Sequence, residues 1–178
     1  MTSEARIAIE PVGTAPFEIG PHNCFACGTL NRDGLGLTMH IGERRSWVEL
    51  VLDRRFEGWD GIAHGGIVAT ILDEVMAWAL VAEDNWGLTA RMNVEFKAPA
   101  PIGVPIRAEG WITRSRRRIV DTEARLTAVD TGNVLATATG VYLAADAARK
   151  RELRARYDVR PLEPAQDAHE TPDRVDTR

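Results

Sequence analysis

One apolar stretch of the chain contains two kinds of group that can do chemistry. His64-Gly65-Gly66 opens this stretch, and the acidic pair Asp73-Glu74 lies in its middle. Glycines at a helix start leave the first N–H groups accessible, and the positive end of the helix dipole stabilises negative charge on a nearby oxygen. The pattern therefore predicts an oxyanion-binding helix end. A carboxylate in an apolar helix is costly unless it is paired or used, and the raised pKa typical of such a group suits base chemistry, so Asp73 is the candidate catalytic carboxylate.

The stretch itself predicts a buried helix from Gly65 to Ala82. Its apolar residues cover most of the helix circumference, which is typical of a helix wrapped by other structure. Gly65 and Asp73 are eight residues apart, so they lie about 12 Å from each other along one helix. Because no single carbonyl group can reach both, the spacing indicates a composite site in a symmetric dimer with roughly antiparallel central helices.

Alternating apolar and polar residues predict strands on both sides of this helix. The predicted strands are 35–41, 47–52, 89–97, 105–113, 119–129 and 134–143. Since hairpin-linked strands must bury one face, the simplest arrangement is an antiparallel sheet curled around the helix, which is an α+β fold. We expect residues 1–20 to form an arm, 21–144 the domain, and 145–178 a charged, partly disordered tail.

Composition excludes several classes of function. The 178 residues carry a formal charge of −4, from 22 basic and 26 acidic side chains. This balance gives no general attraction to nucleic acid or to an anionic membrane surface. No uninterrupted apolar run reaches the length of a membrane span, and the first residues do not form a secretory signal, so we expect a cytoplasmic protein. Two cysteines provide no disulfide framework.

Three segments resemble one known family. The run 61–66, Gly-Ile-Ala-His-Gly-Gly, with Asp73 after it, and the run 89–96, Thr-Ala-Arg-Met-Asn-Val-Glu-Phe, are similar to the phenylacetate-degradation-type (PaaI-like) hotdog thioesterases. The run 22–28, His-Asn-Cys-Phe-Ala-Cys-Gly, recurs in one subgroup of that family. The resemblance covers about residues 21–144. It implies a hotdog fold, hydrolysis of an acyl-CoA without any cofactor, and a homodimer that pairs further into a homotetramer.

The resemblance also implies roles for individual residues. The N–H of Gly65 would polarise the thioester carbonyl, and Asp73 from the other subunit would act as general base on water or as nucleophile. Thr89 falls where a hydroxyl group assists. His64 is suited to shaping the loop, although a general-base role is the alternative. The expected substrate contacts include Gly66 and Asn93.

The sequence departs from the family at Gly58, six residues before His64. Several relatives have Asn or Gln there, which helps to hold the water or the carbonyl group. We expect Glu57 or a bound water to take over this task. The departure favours the first alternative function, a non-catalytic acyl-CoA-binding hotdog module. An enoyl-CoA hydratase is a second alternative, which the distance of Asp73 from His64-Gly65-Gly66 favours less. A scaffold protein is the third, and the acid in a buried helix argues against it.

A dense basic turn lies between two predicted strands. It has two interpretations, a solvated hairpin or a binding site for the phosphates of CoA, for which guanidinium groups are well suited. Its candidate phosphate ligands are Arg116, Arg117 and Arg118, which follow Arg114.

His22, Cys24 and Cys27 have a spacing that could hold zinc. A fourth ligand is missing, since His40 is the only nearby candidate and lies on a predicted strand. We therefore expect a packed turn with a redox-labile cysteine pair and no metal. Glu74 is about 100° around the helix from Asp73, so we expect it on the solvent side or at an interface.

Overall fold

The computed structural model describes residues 7–9 and 17–161. One helix, α1 (Gly65–Ala82), has the bounds that the sequence pattern predicts. Six antiparallel strands form the main sheet, in the order β3-β4-β8-β9-β10-β7. These strands are β3 (His40–Gly42), β4 (Arg45–Val51), β7 (Gly87–Phe96), β8 (Pro105–Arg116), β9 (Ile119–Ala128) and β10 (Val134–Ala144). The expected α+β arrangement, a sheet around one central helix, is confirmed.

The sheet packs closely against α1 because alternate residues of its long strands are small or apolar. Along β9 and β10 buried residues alternate with more exposed ones, as period-2 side-chain geometry requires. At Gly110 the strand backbone approaches the helix so closely that a methyl group would lie 2.6 Å from the carbonyl carbon of Val75. The buried Ser46 hydroxyl donates to the Val75 carbonyl at 2.5 Å and fixes this contact.

The helix α1 is long and apolar enough to cross a membrane when judged by length and composition, with a mean hydropathy of 1.6. In the fold its apolar residues Ile71, Leu72, Val75 and Met76 have no exposed surface. The sheet therefore accounts for the apolar composition of this helix.

The predicted strand at 35–41 is wrong over most of its length. Only His40–Gly42 pairs with a neighbour, while residues 35–39 are irregular. The alternation nevertheless reports burial correctly, because Leu37, Met39 and Ile41 are buried and the residues between them are not. A period of two can thus arise from an extended segment that lies on the core without a ladder partner.

Short elements complete the described chain. The hairpin of β5 (Glu57–Trp59) and β6 (Ile62–Ala63) leads into α1. A second sheet joins β1 (Ile7–Ile9), β2 (Phe17–Ile19) and β11 (Arg160–Pro161). The helix α2 (Ala147–Arg156) lies between β10 and β11. The domain boundaries stay a prediction, and residues 1–6, 10–16 and 162–178 of the arm and the tail lie outside the described residues.

The segment after β10 is attached to the domain by ion pairs and aromatic contacts. Lys150 and Arg154 of α2 both contact the Asp84 carboxylate, at 2.6 and 2.8 Å. Tyr157 stacks on Trp86, and its carbonyl accepts the Gly20 N–H at 2.8 Å. These contacts hold the two ends of the described chain side by side.

Candidate active site

The first turn of α1 has one amide group available for a ligand. His64 is the N-cap residue, and its Nδ1 accepts the Gly66 N–H at 3.0 Å. Within residues 17–160 the Gly65 N–H makes no hydrogen bond, and Gly65 is exposed. His64 therefore caps the helix start, and by engaging Gly66 it leaves the Gly65 N–H accessible to an oxygen atom of a ligand.

An open apolar groove lies beside Gly65. Its volume is about 340 Å³. Its walls come from β6, α1, β7 and the segment 97–100, and the main apolar residues are Ile62, Val68, Phe96, Pro99, Ala100 and Leu135. A hydrocarbon chain fits such a lining, since burial of apolar surface stabilises the bound state.

The Asp73 carboxylate is held by two hydroxyl groups. Thr89 Oγ1 donates to Oδ1 at 2.8 Å, and the Tyr142 hydroxyl lies 2.7 Å from the same oxygen. Thr89 and Tyr142 are cross-strand partners on β7 and β10, so the sheet register brings both to the middle of α1. Because both hydroxyl groups are on Oδ1, the carboxylate is oriented and Oδ2 is left for another group.

Tyr142 is the functional residue that the sequence analysis missed. It is 1% exposed, and burial together with the nearby Asp73 raises the pKa of its phenol well above the usual range. The group therefore stays protonated and acts as a hydrogen-bond donor. The available signal was a tyrosine on the inward face of an otherwise small and apolar strand, because a buried phenol needs a polar partner.

The two halves of the site are not together in one subunit. Gly65 and Asp73 both belong to α1, so they are separated by about 12 Å along the helix axis. The hydroxyl groups of Thr89 and Tyr142 surround Asp73, while the groove surrounds Gly65. Within one chain the Asp73 carboxylate and the Gly65 amide are therefore too far apart to contact the same carbonyl group.

The departure at Gly58 has a steric reason. A methyl group there would lie 2.9 Å from Cα of His64, because β5 runs close to the residue that caps α1. Glu57 does not point its carboxylate to Gly65 but accepts the Gly61 N–H, which holds the tight turn between β5 and β6. Within the described residues, no side chain at 57 or 58 replaces the amide of the relatives.

The remaining predicted contacts are distributed over other surfaces. Asn93 is exposed and lines a groove with Trp111 and Arg125 on the outer face of the sheet, so it is not brought to Asp73. The arginines 116–118 form the exposed turn from β8 to β9. Arg118 donates to the Ala144 carbonyl at 2.8 Å, which places this turn at the end of the sheet where β7 begins.

One expectation about the cysteine region needs correction. Glu74 does not face solvent: its carboxylate and the sulfurs of Cys24 and Cys27 all lie within 4.8 Å of one another. Burial raises the pKa of Glu74 to about 7, and the Cys27 hydrogen bond lowers the pKa of Cys24 to about 5. His40 stacks on Trp47 and does not belong to this cluster. Sequence spacing could not indicate that Glu74 lies beside the cysteines, because the course of the 22–37 loop brings Cys24 and Cys27 to this face of α1.

Comparison with known proteins shows what the domain is similar to. Residues 60–135 match the Thioesterase superfamily. "Acyl-coenzyme A thioesterase THEM4" of Xenopus laevis is 25% identical over 118 residues, which are 64% of this chain and 53% of that protein. The chain thus spans about half the length of the curated relatives that it matches.

Solved structures share the fold. The Escherichia coli PaaI protein from the phenylacetic acid degradation operon matches with a TM-score of 0.56 and 13% identity, covering 58% of this chain and 75% of that one. The smu.793 protein of Streptococcus mutans, bound to acetyl CoA, matches with a TM-score of 0.55 and 16% identity, covering 58% and 82%. The expected hotdog fold and the resemblance to its thioesterases are confirmed.

Proposed function

We propose that this chain, whose hotdog domain matches the thioesterase superfamily, hydrolyses acyl-CoA thioesters at a site shared by two subunits. The observation that carries the proposal is the separation on α1 of an oriented carboxylate, Asp73, from a free helix-end amide, Gly65. The acyl-CoA thioesterase name of the curated relatives and the acetyl CoA of the smu.793 structure support the substrate class.

The dimer is supported by the free edge of the main sheet. Within the described residues β7 pairs only with β10, so its other edge is unpaired over ten residues. Leu88 and Phe96 on this strand are 80% and 58% exposed. A long apolar edge strand normally finds a partner, and a second copy of β7 satisfies it with two-fold symmetry. Further pairing into a tetramer remains a prediction.

The reaction needs only groups of the two chains. The Gly65 N–H of one subunit donates to the thioester oxygen, while Asp73 Oδ2 of the other subunit accepts a proton from water. The water oxygen bonds to the carbonyl carbon, the C–S bond breaks, and the CoA thiolate receives the proton from Asp73. Neither a metal nor an organic cofactor takes part in these steps. The proposed location of the protein is the cytoplasm.

The groove and the arginine turn would bind different parts of the substrate. The apolar groove beside Gly65 receives the acyl chain. Arg116, Arg117 and Arg118 lie at the end of the sheet where β7 begins, near the end that holds Thr89 and Asp73. This surface is suited to the phosphates of CoA, because guanidinium groups form charge-assisted hydrogen bonds with phosphate oxygens.

Complementation between two inactive variants tests the shared site. Asp73→Asn removes the base, and we expect it to lower kcat/KM on a panel of acyl-CoAs by about two orders of magnitude or more. Gly65→Pro removes only the amide donor, because proline is accepted at the first helical position. Gly65→Ala, which keeps the N–H, is its matched control.

Co-expression of the two inactive chains gives the decisive measurement. If the sites are shared, half of the dimers are mixed and each mixed dimer has one intact site, so about a quarter of wild-type activity returns. A mixture as inactive as its parents contradicts the shared site. If the wild-type protein turns over no ester in the panel but binds CoA, the non-catalytic binding module replaces the enzyme.

A further inference from the structure

Four side chains that can bind metal lie close together where the loop 22–28 meets α1. The sulfurs of Cys24 and Cys27 and a carboxylate oxygen of Glu74 lie within 4.8 Å of one another. His22 Nε2 lies 4.0 Å from the Cys27 sulfur. We propose that these four residues bind one zinc ion, which joins the loop 22–28 to the central helix. Glu74 is then the fourth ligand that the sequence pattern lacks.

The distances suit tetrahedral zinc after small side-chain movements. Zinc bonds of about 2.3 Å to sulfur and about 2.0–2.1 Å to nitrogen or oxygen place tetrahedral ligand atoms about 3.4–3.8 Å apart. The separations among the ligand atoms of Cys24, Cys27 and Glu74 are at most about an ångström longer, and the His22 imidazole, 4.0 Å from the Cys27 sulfur, must also move toward the other two ligands. Binding through Nε2 places the imidazole proton on Nδ1, so the long 3.4 Å contact from the Cys24 N–H to Nδ1 is given up.

The backbone of the loop already has the required turn. The Gly28 N–H donates to the Cys24 carbonyl at 3.0 Å, and the Leu30 N–H donates to the His22 carbonyl at 3.1 Å. At Gly28 a methyl group would overlap the backbone of both Cys24 and His22. Only glycine permits this close winding, which holds His22, Cys24 and Cys27 on one short turn. We expect metal binding to draw the His22 imidazole in by side-chain rotation, with the turn of the loop retained.

The carboxylate of Glu74 joins the central helix to the cysteine turn, because it is hydrogen-bonded to the Cys27 side chain. It lies on the otherwise apolar α1, and one of its oxygens accepts the Trp78 Nε1–H at 2.8 Å. Throughout the described part of the chain Glu74 takes part in no ion pair. A partly buried carboxyl group beside two thiols is stabilised in its charged form by a divalent ion. The indole then acts as an outer partner that orients the ligand.

The zinc site is structural and does not rest on the proposed hydrolysis. All four positions of a tetrahedral ion are occupied by protein ligands, so no position is open to water or substrate. Glu74 directly follows Asp73, so the ion fastens the loop next to the residue that acts as base. Zinc binding and thioester hydrolysis can be present or absent independently of each other.

Metal binding is tested on the full chain with zinc and with cobalt as a spectroscopic substitute. We expect one equivalent of zinc by mass spectrometry of the metal, after equilibration and removal of free ions. Addition of Co²⁺ to metal-free, reduced protein should give thiolate-to-cobalt charge-transfer absorption and the intense d–d bands of a tetrahedral site. Absence of both zinc and these bands from folded, reduced protein would overturn the proposal.

Variants assign the ligands. His22→Gln, Cys24→Ser, Cys27→Ser and Glu74→Gln should each weaken zinc binding by at least about a hundredfold, measured by competition with a chelator. His40→Gln is the matched control and should keep wild-type affinity, because His40 stacks on Trp47 outside the cluster. Unchanged affinity in Glu74→Gln would refute the four-ligand site. The cobalt spectrum of the wild-type protein decides the question even where a variant does not fold.

Discussion

At the scale of single residues, the orientation of one carboxylate depends on a hydroxyl group from a distant strand. Tyr142 lies 69 positions after Asp73, yet its hydroxyl is 2.7 Å from Oδ1 and 3.0 Å from the Asp73 carbonyl oxygen. Thr89 supplies the second hydroxyl group. Tyr142 therefore positions the base without contacting the substrate, and Thr89 provides partial support when Tyr142 is changed.

Tyr142→Phe should separate positioning from folding. We expect kcat to fall about tenfold with little change in KM, because loss of a hydrogen bond to a charged group costs about 1.5 kcal/mol or more. Tyr157→Phe is the matched control, since that ring makes its contacts by stacking on Trp86. Steady-state kinetics on the best acyl-CoA measure both variants. A KM effect alone would assign Tyr142 to substrate binding.

Residue types at close spacing predict the two main parts of the candidate site, whose roles remain a proposal. Gly65, His64 and Asp73 were recognised because a glycine-opened helix start and an acid in an apolar helix are unusual enough to indicate a use. Tyr142 and Glu74 were not recognised, because their partners come from elements far away in the chain. Such contacts depend on strand register and on the course of the 22–37 loop, which a local pattern does not contain.

At the scale of elements, the contact between α1 and β8 limits how the acid is presented to substrate. Gly110 faces the backbone of Val75 and Met76, two and three residues after Asp73. The Ser46 hydroxyl binds the same turn of helix through the Val75 carbonyl. Because this turn cannot move toward or away from the sheet, the carboxylate is held at a fixed height above β7 and β10.

Gly110→Ala should destabilise the fold by displacing the helix. The added methyl group would lie 2.6 Å from helix backbone atoms, and such overpacking costs about 1–3 kcal/mol. Urea denaturation measures the free energy of unfolding. Gly42→Ala is the control: its nearest neighbours are the side chains of Arg45 and Trp47, at 3.1 and 3.2 Å, and they can yield. Equal losses in both variants would contradict a special contact at Gly110.

The elements that were predicted correctly have a strong period over many residues. The helix from Gly65 to Ala82 and the long strands after it satisfy this condition. The interval 35–41 does not, because its alternation comes from packing on the core and a strand ladder forms only at His40–Gly42. Leu35 and Leu37 instead donate single hydrogen bonds to the carbonyls of Phe25 and Ala26. Periodicity reports which side of a segment is buried, whereas a strand also requires a partner.

At the scale of the whole molecule, the free edge of β7 is the feature on which the proposed dimer depends. The register between β7 and β10 skips Ala90, which lies between the pairs Thr89–Tyr142 and Arg91–Val141. Ala90 therefore has no register partner inside its own sheet. A change there alters the outer edge more than the sheet of the same subunit.

Ala90→Pro should weaken the dimer. Proline removes a backbone donor from the edge and is tolerated at bulges and edge strands, so the subunit fold is expected to persist. Loss of one interstrand hydrogen bond in each subunit should raise the dimer dissociation constant by about tenfold or more, as measured by sedimentation. Ala90→Val, which keeps the N–H, is the control. A wild-type protein that sediments as a monomer would contradict pairing through β7.

The sheet formed by β1, β2 and β11 joins the two ends of the described chain. The ring of Tyr157 contacts His22 edge to face, with the ring centroids 5.6 Å apart, and β11 pairs with β2 only a few residues before His22. Trimming the protein after Ala144, where the recognisable pattern ends, would therefore strip support from the opposite terminus. The elements α2 and β11 support the cysteine loop through these contacts. A protein shortened after Ala144 should therefore lose order both at the cut and in the loop that begins at His22.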